Sequence, residues 1–152
     1  MSLLSAAQDV INASSPLSWL IVAGQPTRAQ FTALHAAGVQ TVIDIRDPME
    51  PREVDEPGIV GSLGMKYVNA PVVSGALSNV AMERVLGALR MARGTATLLH
   101  CNSANRTGGP LIAYLMVDEG LDEQAAIAIA MQSGLRSAEV MEWATEYARS
   151  NR

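Results

Sequence analysis

Apolar positions in this chain follow two rhythms. Ser18 to Ala23 (SWLIVA), Gln40 to Arg46 (QTVIDIR), Met65 to Ala70 and the segment ending at His100 are short, mainly apolar runs of the kind that make buried strands. Between them, apolar residues recur at helical spacing. Phe31, Leu34 and Ala37 mark one face of a helix from Thr27, where Thr27 and Gln30 form a capping box and Gly38 is the stop. Ser78 caps a helix to about Arg93, with Val80, Val85, Leu86 and Leu89 on its inner side, and Gly94 ends it. Three more helices follow: Thr107 to Asp118, a second capped by Asp122 and ending near Ser133-Gly134, and a third capped by Ser137 that carries Val140, Met141 and Trp143. Met1 to Ser14 predicts a short helix and Ile59 to Leu63 a helical turn, whereas Asp47 to Gly58 and Pro71 to Leu77 read as loops. Strands alternating with helices predict an α/β domain over residues 1–152, with a mainly parallel four- to five-stranded sheet flanked by helices. The strand ending at His100 should be central.

Chemistry concentrates where that strand ends. Thr95 to Leu115 reads TATLLHCNSANRTGGPLIAYL: an apolar run, His100-Cys101, a small polar loop, then Arg106-Thr107-Gly108 opening a second apolar run. Strand, loop and helix start leave backbone N–H groups without partners, and these converge with the positive end of the helix dipole. An oxyanion or a thiolate sits well at such a point. Cys101, at the mouth of the loop and near a guanidinium, is therefore a candidate nucleophile, and Arg106 offers a planar fork suited to phosphate or sulfate. Asp44 and Arg46 fall on one side of their strand by alternation, and their mutual pairing is the plainest account of both.

Charge and composition narrow the partners. Ten arginines, one lysine and an acidic excess give a net charge of -4 with no basic patch, which argues against nucleic acid or an anionic membrane. One cysteine forms no internal disulfide, the first basic residue is Arg28, and Trp19 to Ala23 is too short to span a bilayer; a cytoplasmic protein is expected. His35, His100 and Cys101 lack metal-ligand spacing, and Gly61 and Gly64 are too isolated for a nucleotide fingerprint, so neither metal nor cofactor is expected. The Ala- and Met-rich C-terminal helices read as core; an exposed apolar face on them would make a homodimer.

The segment His100 to Gly108 resembles the phosphate-binding loop of cysteine-dependent phosphatases of the tyrosine and dual-specificity type. Three further stretches, Ala23-Gly24-Gln25-Pro26-Thr27, Thr41 to Arg46, and Gly64 to Val68 leading to Pro71-Val72, extend the likeness to the beta-lactamase-hydrolase-like, phosphatase-like domain family, a bacterial branch of that superfamily. The resemblance implies a dual-specificity-phosphatase-like fold and hydrolysis of a phosphomonoester, from a small molecule or a phosphoprotein, through a phosphocysteine. It casts Cys101 as the nucleophile and Arg106 as the binder of the equatorial oxygens. It also gives Thr107 the role of stabilising the leaving thiolate, makes Asn102, Ser103, Ala104, Asn105 and Gly108 substrate-binding loop residues, and has His100 orient the loop from behind.

Three features depart from that pattern. Only Asn102 to Asn105 separate Cys101 from Arg106, one residue fewer than in the resembled phosphatases and like the loop of single-domain rhodaneses. Ala104 stands where glycine is usual, with a strain of about 1 kcal/mol if the position needs positive φ. No Asp or Glu lies in Pro71 to Met82, where the general acid is expected, leaving Asp47, Glu50 and Asp55 as substitutes. Two alternatives follow: a rhodanese-like sulfurtransferase or persulfide-handling protein served by a sulfur donor, and a non-catalytic anion-binding module.

Overall fold

The computed structural model describes residues 2–52 and 54–152; Met1 of the expected first helix and Glu53 of the expected polar loop lie outside the described residues. The elements run α1 (Leu3–Ala7), β1 (Ser14–Leu17), β2 (Leu20–Ala23), α2 (Arg28–Ala36), β3 (Thr41–Asp44), α3 (Glu56–Ser62), β4 (Lys66–Asn69), α4 (Asn79–Ala92), β5 (Thr97–His100), α5 (Gly108–Val117), α6 (Glu123–Gln132) and α7 (Ala138–Asn151). The caps expected from sequence are in place: Thr27 with Gln30 on α2, Ser78 on α4, Asp122 on α6 and Ser137 on α7.

The sheet has five strands in the order β1-β2-β5-β3-β4, parallel except for β1. It separates two apolar clusters, and the alternation along each strand feeds both. Leu20, Val22, Ile43 and Leu99 pack with α4, α5, α6 and α7; Ile21, Ala23, Val42 and Leu98 pack with α1, α2 and α3. With both faces covered, the inner strands are buried throughout, which is why their sequences are runs rather than alternations.

Two elements depart from the sequence expectation. β1 is a strand the sequence did not predict, and only its first residue, Ser14, falls within the expected N-terminal helix; it contains Pro16, pairs antiparallel with β2 across an irregular register, and occupies a sheet edge, where a missing N–H is tolerated. α3 starts before the expected turn because Asp55 accepts the Gly58 N–H and Pro57 sits in the first turn, where its lost donor would be unbonded anyway.

Register sets the site. Ala23, Asp44 and Asn69 align with His100 directly or through β3, so the loops after β2, β3, β4 and β5 open on one edge, where open α/β sheets place their ligands. Gly24 allows the close approach of two of these loops: a Cβ there would lie 2.6 Å from the Asn102 carbonyl oxygen. No described helix is long and apolar enough to cross a membrane. On α5, α6 and α7, Met131 is the one large hydrophobic exposed among the described residues.

Candidate active site

The loop from Cys101 to Thr107 is held in shape from several directions. The Gln25 N–H donates to the Asn102 carbonyl at 2.9 Å and the Asn12 side chain donates to the Ser103 carbonyl at 2.8 Å. Ala104 adopts φ +72° and is fully buried, so the strained position expected from sequence is real, and it packs on Gly134 of the α6–α7 turn. Among the described residues, the amides of Asn102, Ser103, Asn105, Arg106 and Thr107 have no protein acceptor, which leaves a short run of donors at the start of α5.

Several loop residues have jobs other than those their position suggested. Asn105 Oδ1 accepts the N–H groups of Arg136 and Ser137, at 2.7 and 3.1 Å, so its side chain ties the loop to the start of α7. The Thr107 hydroxyl, fully buried, donates to the Ala104 carbonyl at 2.9 Å and not to the sulfur of Cys101. Gly108 serves packing: a Cβ there would stand 2.7 Å from the Leu135 Cβ. The thiol of Cys101 lies at the floor of the loop, 1% exposed.

Arg106 is oriented by a residue far away in sequence. Its Nη1 and Nη2 donate to the two carboxylate oxygens of Glu50, each at 2.7 Å, and Nη1 also donates to the Val72 carbonyl at 3.1 Å. These bonds occupy the end of the guanidinium and, among the described residues, leave the Nε–Nη2 edge without a carboxylate or carbonyl partner. Hydrogen bonds to Glu50 hold the guanidinium above its ordinary pKa against burial, with Cys101 adding to the effect, so the cation and the sulfur are neighbours. The same bonds hold the Glu50 carboxyl below the ordinary carboxylate value. A cavity of about 450 Å³ opens over this arrangement, lined by Asp47 and Glu50 from the β3 loop, Val73 and Ser74 from the β4 loop, and Asn102, Ser103, Asn105 and Arg106.

The three substitute acids separate clearly. Glu50 is committed to Arg106. Asp55 caps α3 and lines a different cavity, with Pro57 and Tyr67. Asp47 lines the cavity over the loop; its Oδ1 accepts the Met49 N–H at 2.9 Å, and among the described residues its Oδ2 has no donor.

Beneath the loop lies a buried ion cluster that sequence spacing concealed, since it draws on residues 44, 46, 52, 56 and 100. Arg46 donates to both oxygens of Asp44, at 3.0 and 2.9 Å, and to Glu56 at 3.1 Å. Arg52 and the Tyr67 hydroxyl also donate to Asp44, at 3.0 and 2.7 Å. Burial pushes the Asp44 carboxyl up, but the bonds from Arg46 and Tyr67 and the charge of His100 outweigh it and hold it far below the ordinary range. His100 lies between this cluster and the nucleophile, with Nδ1 3.0 Å from the Cys101 carbonyl oxygen and Nε2 2.6 Å from Glu56 Oε2. Asp44, Glu56 and His100 bring their ligand atoms within 4.8 Å of one another, but every carboxylate oxygen is already taken by a guanidinium, amide, hydroxyl or imidazole, a donor set that does not fit a metal.

No protein-family model and no curated protein sequence matches the chain. Solved structures do match it. A protein described as a "Putative phosphatase (DUF442)" from Shewanella putrefaciens CN-32 superposes with a TM-score of 0.83 at 21% identity, over 97% of this chain and 98% of the other. TpbA of P. aeruginosa, in a Cys-to-Ser form complexed with phosphotyrosine, gives a TM-score of 0.69 at 25% identity over 91% of this chain and 83% of its own. The core catalytic domain of the PP-IP phosphatase SIW14 from S. cerevisiae gives 0.77 at 14% identity, over 90% of this chain and 85% of its own. The chain has the α/β fold of the dual-specificity and tyrosine phosphatase-like proteins, the fold that the His100 to Gly108 segment implied.

Proposed function

We propose that this protein is a cysteine-dependent phosphatase acting on a phosphomonoester. One observation carries the reading. Arg106 is braced by Glu50 at one end and stands beside Cys101, and among the described residues its Nε–Nη2 edge has no carboxylate or carbonyl partner, so two oxygens of a phosphate can be gripped there while sulfur attacks phosphorus. The Cys101 thiolate attacks phosphorus; a sulfur–phosphorus bond forms as the bond to the alcohol oxygen breaks, and that oxygen takes a proton. Water then attacks the phosphocysteine, giving inorganic phosphate and returning the thiolate. The free loop amides and the start of α5 stabilise the charge gathered on the equatorial oxygens.

Asp47 is the proton donor in this scheme. It is the one of the three candidate acids that lines the cavity without a prior commitment to a guanidinium or a helix cap, and the β4 loop, which carries Val73 and Ser74 there, offers no acid. A phosphorylated small molecule or phosphoprotein is the partner, and a lone cysteine with no internal disulfide supports a cytoplasmic enzyme. The compared structures lend the sulfur-transfer alternative no support. Acid quenching during turnover of an aryl phosphate should trap one phosphoryl group on the Cys101 peptide; no adduct from the phosphate, with one sulfur added from thiosulfate, would reverse the choice.

A further inference from the structure

We infer that the protein carries a second ligand site, at the end of the sheet away from Cys101, built to take a phosphomonoester dianion on an apolar body. The site stands whether or not Cys101 turns over a phosphate.

It is a cavity of about 670 Å³ between α4 and the first residues of β3 and β4, larger than the cavity over the Cys101 loop and sharing no lining residue with it. Its position follows from the sheet. Thr41 and Lys66 are partners across the parallel β3–β4 pair, so their side chains leave the same face. Ile43, two residues on from Thr41, packs in the cluster that holds Met82, Val85, Leu86 and Leu89 of α4, so this is the face that α4 covers. On α4, Arg84, Ala88, Met91 and Ala92 recur at helical spacing and give the cavity its other wall.

Three features fit the cavity to an anion. Lys66, the one lysine of the chain, and Arg84 both line it, and neither has a carboxylate partner among the described residues. No acidic residue lines it, although Asp and Glu outnumber Lys and Arg by 15 to 11 over the chain. Thr41 is only 8% exposed, yet among the described residues its hydroxyl has no hydrogen-bond partner and is not sealed from solvent. Hydroxyls on side chains this deeply buried are bonded as a rule, and this one opens on the cavity.

Charge and shape then select the ligand. Two cations match a dianion, and a phosphomonoester carries close to two negative charges near neutrality where a carboxylate carries one. Its three terminal oxygens offer Lys66, Arg84 and the Thr41 hydroxyl an acceptor each. The rest of the wall, with Val68, Ala88, Met91 and Ala92, is apolar, and Met91 is 81% exposed, so an organic group seated there removes apolar surface from water. Inorganic phosphate would leave that wall bare.

The test uses the full chain with its lysine side chain isotopically labelled. One lysine gives one set of side-chain signals, and these report the cavity beside α4 and not the Cys101 loop. Phenylphosphonate, which has no ester bond to hydrolyse, is titrated in at about pH 8, where its head group is a dianion. The Lys66 signal should shift and saturate. Inorganic phosphate, which lacks the ring, and benzoate, which lacks the second charge, should each bind about tenfold more weakly. Arg84→Gln should weaken phenylphosphonate binding about tenfold and Thr41→Val about fivefold. Arg84 is exposed and valine suits a buried strand position, so both variants keep the fold. No saturable shift, equal affinity for inorganic phosphate or benzoate, or wild-type affinity in either variant overturns the inference. The phosphatase reading fails separately, through Cys101-dependent turnover, which the Lys66 signal does not report.

Discussion

Replacing Glu50 by glutamine distinguishes two roles for its carboxylate: a brace that aims Arg106, or a plug in the anion site. Glu50 takes one hydrogen from each of Nη1 and Nη2, and Val72 takes the other hydrogen of Nη1. Nε–H and the second Nη2–H remain, side by side along one edge, which is the spacing of two phosphate oxygens. Substrate and Glu50 can thus be bound together, and the carboxylate is a brace. Glutamine keeps the shape but supplies one acceptor in place of two, leaving a charged N–H poorly paired. The side chains are 13% and 30% exposed, so water recovers part of the loss, and the variant should be destabilised by about 1–2 kcal/mol, less than the ~3–5 kcal/mol of a fully buried pair. Activity should suffer more than stability. A guanidinium misplaced by about 1 Å costs roughly 10²-fold, and kcat/KM for an aryl phosphate should fall by that order. Because the folded Glu50 carboxyl is lowered, the pair contributes in full above the ordinary carboxylate range and is lost as the pH falls through the lowered value; the stability gap between wild type and variant should close in acid. A rise in kcat/KM for Glu50→Gln would refute the brace and establish the plug.

Other substitutions test neighbouring parts. Asp47→Asn should leave a phosphate with a good leaving group nearly unaffected while slowing an alkyl phosphate by about 10²- to 10⁴-fold; equal effects on both would remove Asp47 as the proton donor. Thr107→Val deletes the hydroxyl that donates to the buried Ala104 carbonyl and should destabilise the fold by about 1–3 kcal/mol, seen as a lower midpoint in urea with an unchanged slope. Asp44→Asn leaves Arg46 and Arg52 short of their counter-charge and should cost about 3–5 kcal/mol near neutrality. Since the Asp44 carboxyl is lowered in the fold, its contribution is complete above the ordinary carboxylate range and disappears on acidification, so the variant's stability should fall less steeply with decreasing pH than that of wild type.

Sequence alone located the loop between β5 and α5, because Cys101, Arg106 and the start of α5 are continuous in the chain and their chemistry is local. The strands β2 to β5 and the capped helices were legible for the same reason: a covered strand and a helix stop each leave a mark within a few residues. What escaped was long-range pairing. Glu50 lies 56 residues from Arg106 and Glu56 lies 44 residues from His100, and in sequence both belong to a polar, proline-containing segment that reads as a solvated loop. No periodicity distinguishes a carboxylate that stays in water from one that is buried against a guanidinium or an imidazole. Asn105 and Thr107 carry roles that position alone did not suggest: the Asn105 side chain ties the loop to the start of α7, and the Thr107 hydroxyl donates to the Ala104 carbonyl. Ala104 was read correctly, since the turn demands positive φ whichever residue fills it.

The most direct test is hydrolysis of an aryl phosphate with a good leaving group across pH, in wild type, Cys101→Ser and Arg106→Ala. Such a substrate needs little help from an acid, so it isolates the loop. A phosphocysteine mechanism predicts turnover in wild type and its loss in both variants; turnover that survives Cys101→Ser unchanged would contradict it.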